Sequence, residues 1–404
     1  MSGRPGTAPR DRRPHTERRL SGAAGPAPID VDGLLQDPST RILVCCGSGG
    51  VGKTTSAAAM ALRAAEQGRT VCVLTIDPAR RLAQSMGLVE LDNTPRPVAG
   101  IDRSAGGSLD AMMLDMKTTF DEVVEAHASP EKAAEILANP FYVALSSSFA
   151  GTQEYMAMEK LGQLHAEDRW DLIVVDTPPS RSALDFLDAP ERLSSLLDGR
   201  FIRILLAPAR GPARMLTAGL GVVTAALNRV LGAQVLTDMQ TFVAAFDTLF
   251  GGFRQRAEAT FSLLQHPGTA FFVVAAPEPA AMREAAYFVE RLAADEMPLA
   301  GLVVNRVHDE NTAGVSAADA ESAAPRLVGG TAAQRRTAEL LDVHADRMRL
   351  AARENRLRQR FTASHGTVRV TPVPALDSDV HDLAGLRQIG DFLSSPARGA
   401  HATR

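Results

Sequence analysis

The chain has 404 residues, 45% hydrophobic and 22% charged, enough apolar content for a sizeable core and too much for disorder throughout. A formal net charge of −4 excludes a nucleic-acid binder held by bulk positive charge. Three Cys, two of them the neighbours Cys45 and Cys46, exclude a disulfide scaffold or a four-cysteine zinc site within one chain.

The first 28 residues are rich in Arg, Pro, Gly and Ala and lack an apolar h-region, so they do not read as a secretory signal. Residues 1–38 are expected to form a disordered basic tail and residues 396–404 a disordered C-terminal tail, leaving one domain over 39–395. Arg41–Cys46 (RILVCC) is a short apolar run ending at glycines, a buried parallel strand. Lys53 to about Gln67 is Ala-rich and helical, stopped by Gly68. Further strands are predicted at Thr70–Ile76, Leu109–Leu114, Leu172–Val175, Ala270–Ala276, Leu299–Asn305 and Val368–Val370. Strands alternating with helices predict an α/β fold. Its sheet is doubly wound, mostly parallel and seven- to eight-stranded, with ligands at the strands' carboxyl ends.

Two helical insertions interrupt this rhythm, at about 117–165 and 188–265. In the second, Leu236, Met239, Val243, Phe246 and Phe250 recur at helical spacing on one face. The longest apolar stretch, Met215–Leu227, is bracketed by Arg214 and Arg229. It is too short for a bilayer, which needs about 20 residues, so the expectation is a cytoplasmic protein without stable membrane insertion.

The strongest motif is Gly47-Ser48-Gly49-Gly50-Val51-Gly52-Lys53-Thr54-Thr55, which fits G-x-x-x-x-G-K-[ST] between a predicted strand and helix. Glycines let backbone N–H groups approach phosphate oxygens, and the helix N-terminus favours their charge. Only four of the 43 basic residues are Lys, at 53, 117, 132 and 160, and one of them stands at the motif's obligatory position. Lys53 is expected to contact the β- and γ-phosphates and Thr54 to ligate Mg2+. Asp176 ends a neighbouring strand, where a carboxylate holds Mg2+ directly or through water; the competing role is a helix N-cap. Asp77-Pro78 reads either as a carboxylate that orients attacking water or as a turn-initiating pair.

In order and spacing, these pieces resemble the ArsA-type anion-pump ATPases and the related tail-anchored-protein-targeting ATPases, in the dimeric P-loop class that also holds MinD and ParA. The likeness runs from about Arg41 to Leu393. GSGGVGKTT resembles the family's GKGGVGKTT, and TIDPARRL resembles its first switch, STDPAHxL, which puts Asp77 on the water-positioning aspartate. DTPPSRSALDFLDAP resembles the second switch, DTAPTGHTLRFLxLP, with Asp176 as the Mg2+-linked aspartate. APEPAAMREA resembles the family's PEx-rich stretch after a later strand. VVNRV puts Asn305 on the adenine-contacting asparagine, and VTPVPALDSDVHDLAGL resembles the adenine-side loop around Pro374. The resemblance implies an ATP- and Mg2+-dependent ATPase that works as a dimer, with helical insertions that close on an apolar protein or lipid-like client.

Departures from the pattern sharpen the expectation. The family's signature Lys at the loop's second position, which reaches the facing subunit's nucleotide, is here Ser48. The second-switch Gly-His pair is Arg181-Ser182. Two consequences compete: a catalytically weak nucleotide-binding regulatory subunit, or a heterodimer whose paralogous partner keeps the signature Lys and supplies it here. Retention of Lys53, Thr54, Asp77 and Asp176 favours a site still in use, and so the heterodimer over the weak regulatory subunit; a homodimer is the other pairing the resemblance allows. Arsenite or antimonite pumping needs soft thiolates, but Cys45, Cys46 and Cys72 fall on predicted core strands. The zinc-binding CxxC of many targeting ATPases is absent. Met156, Met158, Met215 and Met239 in the insertions are candidates for a client groove, or simply for packing. His127, His165, His266 and His308 lack metal-ligand spacing and read as surface or satisfied polar residues.

Overall fold

Eight strands make the sheet: β1 (Ile42–Cys46), β2 (Thr70–Thr75), β3 (Arg96–Pro97), β4 (Ser108–Met113), β5 (Leu172–Asp176), β6 (Thr269–Ala275), β7 (Leu299–Val307) and β8 (Val370–Pro374). Their order is β3-β4-β2-β5-β1-β6-β7-β8, and every pairing except β3–β4 is parallel. The computed structural model describes residues 27–77, 81–88, 90–140, 142–143, 152–178, 252, 255–308 and 314–394.

Every residue of β1, β5 and β6 is buried, as a parallel sheet covered on both faces requires. Ten helices are labelled here: α1 (Val31–Gln36), α2 (Lys53–Glu66), α3 (Arg81–Ser85), α4 (Met116–His127), α5 (Pro130–Leu137), α6 (Thr152–Ala166), α7 (Pro279–Ala294), α8 (Ala317–Leu327), α9 (Ala332–Ser364) and α10 (Leu383–Ser394). Residues 255–265 are also helical. Helix α2 follows β1 and packs between the sheet and α10. Its buried side is mostly Ala57, Ala58, Ala61, Ala64 and Ala65, small residues that let the helix backbone lie close to its neighbours.

Part of the segment expected as a tail over 1–38 is structured, and residues 1–26 lie outside the described residues. Val31–Gln36 is helical, with Asp30 accepting from Gly33 N–H, and Val31 and Leu35 are buried in the core. An apolar pair four residues apart anchors a segment whose composition alone reads as disordered. The strand expected at Val368–Val370 lies at Val370–Pro374. Pro372 and Pro374 are tolerated in it because β8 is an edge strand, where a missing N–H leaves no ladder bond unmade. The two-residue β3 was not predicted. Nor was α9 as one helix of 33 residues, about 50 Å long, opened by a Thr331–Gln334 capping box.

Among its described residues the first insertion contains α4, α5 and α6. Met156 and Met158 are fully buried, so they belong to the core and not to an open groove. Arg181, Ser182, Met215–Leu227, the Leu236–Phe250 face and the C-terminal tail lie outside the described residues. Among those described, no helix is long and apolar enough to cross a membrane.

Candidate functional site

Strand β1 lies at the centre of the sheet, between β5 and β6. In a doubly wound sheet the crevice at such a position, beyond the carboxyl ends, is where ligands bind. The loop 47–52 fills that position and runs directly into α2.

Two glycines fix the loop's path. Gly47 has φ 147°, and a Cβ there would collide with the Val274 carbonyl oxygen on β6. Gly52, at φ 96°, is the N-cap of α2, and a Cβ there would collide with Asn305 Nδ2. No side chain caps α2, so its first-turn N–H groups remain available to an anion. Gly49 and Gly50 are exposed and Val51 is buried.

Lys53 is buried, and its Nζ donates to the Ser48 carbonyl at 2.8 Å. Burial lowers its pKa, opposed chiefly by the charge of Asp176 and further by Asp77. Thr54 Oγ1 donates to Asp176 Oδ2 at 2.8 Å, and Thr75 Oγ1 donates to the same oxygen at 2.9 Å. Thr55 is half-buried in the same first turn of α2.

The ladder explains the convergence: Asp176 stands level with Cys45 on one side and Thr75 on the other. Asp176 is completely buried, and desolvation pushes its carboxyl up to about 6 despite the two hydroxyl donors and Lys53. Its Oδ1 is buried without a hydrogen-bond partner, and so is Ser48 Oγ. Asp77 follows β2 at the same edge, half-buried, and its charge is felt by both Lys53 and Asp176.

The residues fit a Mg·nucleotide on these observations. The glycine loop and uncapped helix suit phosphate. The orphaned Asp176 oxygen suits a cation or its water. By giving its proton to Asp176, Thr54 keeps its oxygen lone pairs for a metal.

Asn305 and Pro374 lie at the carboxyl ends of β7 and β8. Asn305 Nδ2 donates to the Val51 carbonyl at 2.9 Å, and its Oδ1 accepts from the Arg306 N–H at 3.0 Å. Arg306 has φ 61°, and the β7–β8 register shifts between Val304 and Val307. This bulge turns Asn305 onto the phosphate loop, two strands away. Pro374 is half-buried at the edge, and the Ala375 N–H beyond it donates to the Val307 carbonyl.

Sequence reasoning missed Thr75, whose hydroxyl is visible only once β2 is paired with β5. It also missed Glu354, buried on α9, which binds His308. The three Cys are buried in β1 and β2, and burial raises all three thiols, Cys46 to about 12.

Comparison with known proteins agrees with this geometry. The profile of the family described as "Anion-transporting ATPase" matches residues 40–323. ATPase GET3 of Malassezia globosa is 28% identical over 170 residues, 42% of this chain and 48% of that protein. ATPase ASNA1 homolog 2 of Paramecium tetraurelia is 23% identical over 296 residues, 68% of this chain and 78% of that protein. A putative arsenical pump-driving ATPase of Halobacterium salinarum is 29% identical over 198 residues, 44% of this chain and 28% of that protein. The chain thus spans about half the length of the GET3 relative.

Proposed function

The chain belongs to the anion-transporting ATPase family, and we propose that it binds and hydrolyses Mg·ATP at the 47–55 loop as one subunit of a cytoplasmic dimer. The observation that carries this reading is the convergence of Lys53, Thr54 and Asp176, with one carboxylate oxygen left without a partner. Lys53 and the α2 N–H groups hold the β- and γ-phosphate oxygens. Thr54 and Asp176 hold Mg2+, which when bound neutralises charge on those oxygens. Asp77 orients the water that attacks the γ-phosphorus as the bond to the bridging oxygen of ADP breaks. Asn305 buttresses the loop and, with Pro374, flanks the base.

Ser48 governs the dimer in this proposal. It offers a small hydroxyl where the family pattern has a cation, so the subunit pairs with a paralogue that supplies the cation. A cation delivered in trans is worth about 10³-fold or more in phosphoryl transfer. Nucleotide-driven opening and closing then controls an apolar protein or lipid-like client through the helical insertions. The second reading is a catalytically weak regulatory subunit, favoured by the same Ser48.

The test compares Mg·ATP turnover of the chain alone and with its closest co-encoded paralogue, in wild type, Lys53→Ala and Asp77→Asn. Wild type with partner is expected to exceed both variants by about 10²–10³-fold. Equal rates would sink the enzyme reading in favour of the regulatory one. Fast turnover by the chain alone would remove the need for a partner.

A further inference from the structure

Helix α9 turns strongly basic along its second half. From Arg347 to Arg360 it carries six Arg against one carboxylate, Glu354, in a chain whose net charge is −4. Glu354 is buried and its oxygens are spent on His308, so it neutralises nothing at the surface. Glu354 and Phe361 mark the side of the helix that packs on the body, with Leu357 partly buried between them. Arg349, Arg353, Arg356 and Arg360 recur at helical spacing on another side, and all four are exposed. At 1.5 Å per residue they form a row about 16 Å long.

The row is short of counter-charge. Arg349 is paired with Glu321 and Asp346. Among the described residues, Arg353, Arg356 and Arg360 have no carboxylate partner. At the foot of the helix, Glu290 of α7 faces His365 Nε2 at 3.5 Å. Two neighbours extend the basic face. The Ile29 N–H donates to Thr371 Oγ1 at 3.0 Å, and Thr371 lies on β8, the strand that follows α9. The N-terminal sequence therefore joins the body near the foot of the row, and its first 26 residues hold six Arg and two carboxylates. Tyr287, 47% exposed, stands one turn before Glu290 on the same face of α7.

We propose that the Arg row docks the protein reversibly on an anionic lipid surface, with the N-terminal sequence adding charge and Tyr287 meeting the headgroup boundary. Guanidinium groups in one line face a plane of phosphate headgroups together, and each basic residue near such a surface adds roughly fivefold to partitioning. Tyr is enriched at membrane–water interfaces, where its ring meets apolar chains and its hydroxyl stays wet. Nucleic acid fits this face less well. The helix is packed on the body along its other side, so it does not sink into a major groove about 12 Å wide. The row interleaves no aromatic side chain on which bases could stack. An acidic protein would need carboxylates matched to the spacing of the row, whereas a fluid lipid surface supplies charge at any spacing. The proposal does not depend on the nucleotide site.

The test sediments the full chain with vesicles of phosphatidylcholine alone and of phosphatidylcholine with an equal part of phosphatidylglycerol. Wild type is expected to bind the anionic vesicles only, and less as salt rises. Arg353→Gln, Arg356→Gln and Arg360→Gln together weaken that binding by at least about tenfold, while Lys at the same three positions keeps it. Gln is a good helix former at exposed positions, so the row variant folds. A control with Arg103→Gln, Arg326→Gln and Arg336→Gln removes equal charge from exposed sites elsewhere and stays within about threefold of wild type. Equal losses in the two Gln variants would assign the binding to net charge and overturn the proposal. So would anionic-vesicle binding that survives the row substitutions, or none by wild type. Displacement from the vesicles by polyglutamate or duplex DNA at a lower concentration of negative charge would give the face to an acidic protein or a nucleic acid, and would overturn it too.

Discussion

Replacing Asp176 with Asn should stabilise the nucleotide-free protein near neutral pH while abolishing its response to Mg·ATP. The carboxyl is wholly buried and its pKa stands at about 6, against 3.8 for an ordinary aspartate. A folded-state pKa above the unfolded one means that the fold holds this proton more tightly than the unfolded chain does. Stability from the group is therefore full below about pH 3.8, falls as pH rises to about 6, and is level above that. The shift of about 2 units corresponds to a cost of roughly 3 kcal/mol at pH 7.5. Asn keeps the acceptor for Thr54 and Thr75 but places an unpartnered N–H2 where Oδ1 is now, which takes back about 1–2 kcal/mol.

Urea unfolding of the full chain, followed through its single Trp, the buried Trp170, supplies the measurement. Subtracting wild type from Asp176→Asn at each pH cancels the other carboxylates. Between pH 4 and 7.5 the difference should move by about 2 kcal/mol in the variant's favour. Mg·ATP should raise the stability of wild type only. A difference that stays constant with pH would refute the claim that ionised Asp176 is costly in this pocket.

Gly52→Ala should break the Asn305–Val51 hydrogen bond, because the new Cβ meets Asn305 Nδ2 and the residue must hold φ 96°. The expected losses are about 1–3 kcal/mol of stability and at least about tenfold in nucleotide affinity, read by calorimetry. Cys45, Cys46 and Cys72 should resist an aromatic disulfide reagent in the native protein and all react in denaturant, since burial both hides the thiols and raises their pKa. Rapid native labelling of any one would contradict its placement in the core strands.

Much of the sheet could be read because its signal is local. RILVCC, TVCVLTI and LIVV are apolar runs bounded by Gly or Asp, and each became a strand within a residue or two of its expected ends. Local runs gave no such help at the margins. Arg96–Pro97 is two residues of edge pairing, and the prolines of Val370–Pro374 are tolerated only because that strand has one neighbour. Helix α9 has a weakly apolar face, with Ala338, Ala345, Met348, Ala351 and Phe361 buried among many Arg, so its period was hard to see. Within the candidate site, the convergence of Lys53, Thr54 and Asp176 was legible because the loop pattern and the end of an apolar strand put them at one edge of the sheet. Thr75 and Glu354 were not, since each acquires its role through a partner 101 or 46 residues away.

The same distinction bears on what holds the loop in shape. Asn305 meets the Val51 carbonyl across 254 residues of sequence and from two strands away in the sheet. It does so because Arg306 accepts a left-handed backbone and donates its N–H to the Asn305 side chain. Such a conformation costs a non-glycine residue about 1–3 kcal/mol, so surrounding structure must enforce it. The enforcing contacts are at hand: Val307 resumes pairing with β8 at Pro374, and the next residue, His308, is held at two points by Glu354. The chain of dependence thus runs from α9 through His308 and the bulge to Asn305, and from Asn305 to Gly52, where a side chain cannot stand. A helix whose sequence lacks any phosphate motif is in this way mechanically joined to the phosphate loop.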